Sequence, residues 1–284
     1  MKFGVVMRTD IPLSSIADLA QEAEASGWDG FFLWDSFAGQ DPWILLTAVA
    51  LRTERIHFGP LVTAPSRRRP WQLASETVTL DHLSQGRVIL PVGLGAAEDL
   101  GFARFGESMD RRLRAELLDE SIDILQGLWS GKPFSYDGKH YHLEEAAFQL
   151  MPVQSPRIPI WVVAAWPRHT SMKRALRCDG ILPVKMTAEG ISYSLTLEDL
   201  RAIKTYVDTE REQAGPFEIV IEGETPGEDH ARANMLVQPF AEAGATWWLE
   251  DVATAPYKAG GLEGMSLRIR QGPPYRKRAV DKKP

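Results

Sequence analysis

The sequence predicts an α/β protein: a (β/α)8 TIM barrel with a small hairpin insertion after its fourth helix. Three observations predict it. Short apolar runs alternate with longer runs of helical period, eight times within 284 residues, a rhythm that favours a closed barrel over an open sheet. Several short runs are apolar throughout, as strands covered on both faces are. Segments 55–70, RIHFGPLVTAPSRRRP, and 86–98, GRVILPVGLGAAE, are strands ending in loops rich in small, polar or basic residues, and one helix joins them. That is a parallel β-α-β unit whose two loops face the same way.

The first strand is 3–7, with helix 15–26 behind it. Ile16, Leu19, Ala20 and Ala23 share one face of that helix, Ser15 suits its N-cap and Gly27 its stop. The second strand is 30–34 and its helix 42–52; the third are 56–61 and 71–84. Strand 88–92 precedes helix 111–129, where Leu118, Ile122, Leu125 and Trp129 recur at helical spacing. Residues 134–136 and 140–143, around Asp137-Gly138, read as a hairpin. The rhythm resumes with strands 158–164, 180–184, 217–222 and 246–250 and helices 167–177, 197–213 and 230–243, then a short helix at 265–271. One domain over 1–274 is expected, followed by a basic tail at 275–284.

Hydrophobic residues make up 44% of the chain and the net charge is −6, which argues against nucleic acid as a partner. Cys178 is the single cysteine, so an internal disulfide is excluded and a reducing, cytoplasmic setting is expected. The longest apolar runs are too short for a transmembrane helix, and no membrane partner is expected. HExxH and GxSxG are absent.

In such barrels chemistry gathers at the strand C-termini. That selects Met7 and Arg8; Trp34, Asp35 and Ser36; Val62, Thr63 and Ala64; Gly93, Gly95 and Glu98; Ala165, Trp166 and Arg168; Lys185; Glu222 and Glu224; Glu250 and Asp251. VGLGAAED lacks the third glycine of a dinucleotide fingerprint, and its helix begins too late. Asp35, Glu98, Glu222 and Glu250 leave a glycosidase-like carboxylate pair open, and Lys185 an aldolase-like amine. His140 and His142 share a hairpin face; a metal site there needs further ligands, and none is expected. Arg67, Arg68 and Arg69 lie at the ligand face, suited to phosphate or carboxylate groups or simply solvated. Trp34, Phe37, Trp43 and Trp166 suggest a largely apolar pocket for a small organic substrate.

The chain resembles the luciferase-like family, the bacterial luciferase superfamily of flavin- or deazaflavin-dependent oxidoreductases. The resemblance is carried by GWDGFFLWDS, by DPWILLTAVALRTERIHFGPLVTAPSRRRPWQLASETVTLDHLSQGRVILPVGLG, by AELLDESIDILQGLWSGKPFSYDGKHY, by PRIPIWV and by LRIRQGPP. It implies a (β/α)8 barrel binding reduced FMN or the deazaflavin coenzyme F420 at the strand ends, for monooxygenation or hydride transfer. It implies a non-prolyl cis peptide at Leu61-Val62 beneath the ring, with Trp34 and Thr63 beside it. Gly93, Gly95 and Ala96 are then backbone along the ring, Glu98 an acid near it, and Ala164, Ala165, Trp166 and Arg168 the phosphate end. Many relatives carry WDH or SDH after the second strand, whereas this chain has Trp34-Asp35-Ser36. Serine does not donate a proton near neutral pH as imidazole does. Asp35 or Glu98 then supplies the proton, or the chemistry needs none. A separate flavin reductase and a homodimer through the second and third helices are the partners implied. The alternative is a non-catalytic flavin-binding or partner-subunit relative, which Ser36 favours.

Overall fold

A computed structural model of the chain describes residues 1–8, 11–35, 40–95, 100–187, 190–192, 194–252 and 260–274. The expected tail at 275–284 lies outside them.

Eight parallel strands form the barrel: β1 (Lys2–Met7), β2 (Gly30–Leu33), β3 (His57–Pro60), β4 (Leu90–Val92), β7 (Ile160–Trp166), β8 (Gly180–Thr187), β10 (Glu218–Gly223) and β11 (Trp247–Asp251). Their order is β3-β2-β1-β11-β10-β8-β7-β4. The seam between β3 and β4 is closed by parallel bridges Phe58–Val88 and Thr63–Val92. At that seam a Cβ on Gly59 would meet the Ile89 carbonyl oxygen at 2.1 Å, so only glycine lets the two chains approach.

Alternation along the strands divides the core. Val6, Phe32, Leu61, Ile89, Trp161, Leu182, Val220, Trp247 and Leu249 fill the barrel interior, with the Trp161 and Trp247 rings 5.2 Å apart. A larger outer layer packs the strands against the helices. These are α1 (Ile16–Ala25), α2 (Pro42–Arg52), α3 (Pro70–Ser84), α4 (Leu100–Arg104), α5 (Arg111–Trp129), α6 (His169–Leu176), α7 (Leu197–Glu210), α8 (His230–Glu242) and α9 (Gly261–Gln271).

Most helix starts have a local cause. Asp41 accepts hydrogen bonds from the amides of Trp43 and Ile44 at 2.8 and 3.3 Å, with Pro42 at the first helical position of α2. Thr196 and Asp199 form a reciprocal capping box on α7. The expected Ser15 cap is corrected: Ser15 ends a 3-10 turn, Leu13–Ser15, and makes no side-chain cap bond. Gly27 does end α1, at φ 92°.

Two short elements were not foreseen: α4, and β9 (Gly190–Ser192), which pairs antiparallel with β8. After α5, β5 (Phe134–Asp137) and β6 (His142–Ala146) pair antiparallel with an irregularity between Phe134 and Tyr136. β6 begins two residues later than the sequence suggests. Strand 158–164 is shifted to Ile160–Trp166, and α6 begins at His169, two residues later than the sequence suggests.

Candidate active site

The alternation that places Val6, Phe32, Val220 and Leu249 inside carries Arg8, Trp34, Glu222 and Asp251 to the inner rim at the strand C-termini. Trp34, Val62 and Val163 lie on top of the interior cluster, and the Arg8 guanidinium lies 4.7 Å from the Trp34 ring centre. Gly93 closes this apolar floor. A Cβ there would come within 3.1 Å of Val62 and 3.3 Å of Val163. The Leu61-Val62 peptide is cis, as the resemblance implied.

Glu222 is open to water at the rim yet ringed by protein on its other sides. That enclosure, reinforced by the neighbouring Asp251 charge, pushes its carboxyl up to about 7.

Asp35 is held from a different strand end. Thr63 Oγ1 donates to Asp35 Oδ2 at 3.1 Å. Arg67 Nη2 donates to Asp35 Oδ1 at 3.3 Å and to the Asp35 carbonyl at 3.2 Å. Both side chains are 8% exposed. Burial raises the Asp35 carboxyl and outweighs the opposing pull of Arg67, Arg68 and Thr63. Thr63 also stitches the seam: its amide donates to the Pro91 carbonyl and its carbonyl accepts from the Gly93 amide, each at 3.0 Å.

The β4 loop is fixed by two residues that sequence reasoning missed. Arg114 of α5, 1% exposed, donates to the Leu94 carbonyl at 2.9 Å and reaches those of Gly95 and Met109 at 3.5 Å. Phe102 of α4 lies between two cations, 4.6 Å from Arg114 and 5.1 Å from Arg67. It also fills the space over Gly95 (φ 79°), where a Cβ would meet its ring at 2.5 Å. Nothing local marks either residue; the carbonyls Arg114 holds at Leu94 and Gly95 are 20 and 19 residues away.

At the β7 end, Ala165 faces the axis and its amide donates to Ser171 Oγ at 3.0 Å, tying the strand to α6. Ala164 is buried on the outer side. Trp166 also turns outward, edge-on to Tyr206 at 6.0 Å, and Arg168 is exposed at the start of α6.

Several expectations are corrected by the geometry. Trp43 belongs to the outer core, not the mouth. Glu250 faces away from the axis, in a buried ion pair with Arg268 Nη2 at 3.3 Å. Lys185 is ion-paired to Asp199 at 2.7 Å, so it is not an isolated reactive amine. His140 and His142 part company: His140 pairs with Glu116 at 2.8 Å and His142 with Asp137 at 2.6 Å. Among the described residues no group of His, Cys, Asp and Glu is arranged to hold a metal ion. Cys178 is buried and its thiol is pushed up to about 12 by that burial, so it is no nucleophile. Ser36, Phe37, Ala96 and Glu98 lie outside the described residues. Among the described residues no helix is long and apolar enough to cross a membrane.

A family model described as luciferase-like monooxygenase matches residues 1–265. A 5,10-methylenetetrahydromethanopterin reductase of Archaeoglobus fulgidus is 31% identical over 182 residues, 64% of this chain and 52% of that one. An F420-dependent glucose-6-phosphate dehydrogenase of Nakamurella multipartita is 30% identical over 198 residues, 66% of this chain and 57% of that one. The chain thus spans little more than half the length of these relatives. The coenzyme F420 dependent tetrahydromethanopterin reductase of Methanopyrus kandleri superposes with a TM-score of 0.73, covering 95% of this chain and 96% of that one at 17% identity. That likeness speaks for the fold alone.

Proposed function

The chain belongs to the luciferase-like monooxygenase family, and from that premise we propose that it is an oxidoreductase using reduced FMN or coenzyme F420 on a small organic substrate. The carrying observation is the flat apolar floor of Val62, Val163 and Gly93 at the open end of the barrel, edged by a carboxyl that titrates near neutrality, Glu222. A planar tricyclic ring fits such a floor; when bound, the cofactor supplies hydride transfer or oxygen activation.

The protein's own part is placement and proton handling. Leu61, Val62, Thr63, Gly93 and Gly95 form the bed, and Trp34 closes one side. Ala165, with Arg168 at the α6 start, is the proposed phosphate end, where a helix N-terminus favours an anion; Ala164 and Trp166 back it from the outer layer. Asp35, clamped by Thr63 and Arg67, orients the reacting partner. Glu222 holds or gives the proton that imidazole supplies in relatives with histidine in place of Ser36. Ala96, Ser36 and Glu98 complete the proposed site. The apolar floor suits a substrate with a largely apolar body. Mono-oxygenation and hydride transfer remain two outcomes of one binding mode, told apart by whether oxygen is consumed.

Titration of the protein with each reduced cofactor tests this reading. Saturable binding of FMN or F420 is the expected result; binding of neither sinks the enzyme assignment and leaves the non-catalytic relative that Ser36 favours. A separate reductase is proposed to deliver the reduced cofactor, and the single cysteine, Cys178, agrees with a cytoplasmic setting.

A homodimer through α2 and α3 belongs to the same proposal. Ile44 and Leu51 on α2 and Leu83 on α3 are 74%, 65% and 45% exposed. Ile44, Ala48 and Leu51 form one stripe at helical spacing. Ile44→Glu with Leu51→Glu is expected to yield a monomer in sedimentation while the helical circular dichroism signal is retained. An unchanged sedimentation coefficient overturns this contact.

A further inference from the structure

α5 carries a buried charge that the proposed function leaves unused. Arg114, near the start of that helix, is 1% exposed, and among the described residues its guanidinium is bonded to no carboxylate. It donates instead to three carbonyls, of Leu94 at 2.9 Å and of Gly95 and Met109 at 3.5 Å. Its Nε has no hydrogen-bond partner among those residues.

The charges around it give little relief. Arg67, on the far face of Phe102, and Arg111 are both cations. Asp110 is a carboxylate, but it is exposed and already accepts from the Arg112 amide as the N-cap of α5. Keeping a cation out of water without a carboxylate on it is costly. A methionine would fill the same space without that cost.

What the charge does for the site follows from the peptide it holds. The Leu94 carbonyl points outward, to a helix of the outer layer. The Leu94-Gly95 peptide is trans, and in a trans peptide the N–H and C=O point opposite ways. The Gly95 N–H therefore points away from α5, to the side of the barrel mouth. It has no hydrogen-bond partner among the described residues. Gly95 is half-buried, two residues after Gly93 of the apolar floor, and the Phe102 ring covers its other side. The peptide is thus pinned from behind and presents one unspent donor, with a positive charge at its back. Donor and charge have the same sign, and both favour an anionic acceptor.

We propose that Arg114 is a positioning residue that holds the Gly95 N–H toward the ring bed and, through its charge, favours the reduced ring as its anion over its neutral acid. The ionisation concerned is loss of a ring N–H proton to water, the electron pair staying on the ring. The inference rests on the proposed flavin or deazaflavin chemistry for the identity of the ring. It adds a residue outside the bed that sets the ring's charge, since a fixed charge near a cofactor tunes its electronics without touching it.

A pH titration of the reduced ring bound to the full chain tests it, read by anaerobic absorbance with whichever of FMN and F420 the wild type binds. The wild type is expected to hold the anion to lower pH than free solution does. Arg114→Met keeps the bulk, and Arg114→Gln keeps a donor for the Leu94 carbonyl and stands in where the methionine variant does not fold. Each removes the charge and is expected to weaken the ionisation about tenfold, moving the titration up by about one pH unit. Arg114→Lys keeps the charge in place and should stay within about twofold of the wild type. Arg112→Ala, which removes an exposed charge on the same helix, should leave the titration where it is. Loss of binding in both neutral variants but not in Arg114→Lys also supports the charge. Loss in all three overturns the proposal, because Arg114 then only orders the loop. So does a wild type that titrates as the free ring, an unmoved titration in a neutral variant, or a lysine variant that moves as far as the methionine one. A wild type that binds neither cofactor overturns the flavin reading itself, a failure seen before any variant is compared.

Discussion

Arg268→Ala is expected to lower the unfolding free energy by about 3–5 kcal/mol, the usual result of leaving one charge of a buried pair uncompensated. Arg268 and Glu250 are 0% exposed. Glu250 accepts from the Thr225 amide at 2.7 Å, from Thr225 Oγ1 at 2.9 Å and from Trp248 Nε1 at 3.0 Å. Arg268 donates to the Gly272 carbonyl at 2.9 Å and to Thr225 Oγ1 at 2.9 Å. The pair thus fastens α9 to the outer face of β11 and to the loop after β10. Burial raises the Glu250 carboxyl even with Arg268 present, so the folded state holds its proton more firmly than the unfolded chain does. The deficit of Arg268→Ala should therefore shrink on acidification, as Glu250 takes up a proton and the buried charge disappears. Urea midpoints across pH measure this. The double variant Glu250→Leu with Arg268→Leu should recover much of the loss, since two apolar groups replace two ions. A deficit below about 1 kcal/mol for Arg268→Ala, the scale of a surface pair, would show that water reaches Glu250.

Glu222→Gln is expected to lower kcat by about 10²–10⁴, the range of general acid-base catalysis, while cofactor binding stays within about threefold because the amide keeps the shape of the rim. The pH profile gives the sharper reading. A carboxyl raised to about 7 carries its proton on the acid side of that value and loses it above. If Glu222 donates, kcat falls as the pH rises through about 7, and the fall is absent in Glu222→Gln. Asp251→Asn removes the neighbouring charge that helps raise this carboxyl, so the limb should move to lower pH. A limb unchanged in both variants assigns the proton elsewhere, to Asp35 or Glu98.

The luciferase-like resemblance and the barrel are legible in the sequence, because both are written in local features. Strand and helix periods depend on residues two to four apart, and the glycine stop at Gly27 acts within one turn, whereas the caps at Asp41 and at Thr196–Asp199 emerged only in the structure. The short α4 was missed since five residues carry too little periodicity to announce a helix. β9 was missed because three residues form a strand only where β8 offers its edge.

Side-chain assignments fared less evenly, and the reason is directional. Proximity to a strand end placed Asp35, Thr63, Gly93 and Glu222 at the mouth, but it also nominated Glu250 and Trp166, which point into the outer layer, as does Trp43, expected among the mouth aromatics. Adjacent residues on a strand face opposite sides, so Glu250 and Asp251 have opposite fates although they are neighbours. Which of the two faces inward depends on register and closure.

By itself, then, the sequence determined the rhythm, the family and the end of the barrel where chemistry gathers. Only the tertiary structure decided which charges meet: Asp35 with Arg67, Glu250 with Arg268, and Arg114 with the β4 loop. The first set rests on sterics and hydrogen bonds between near neighbours. The second rests on how eight strands are staggered around a closed ring, which fixes contacts between residues tens of positions apart and leaves no mark at either one.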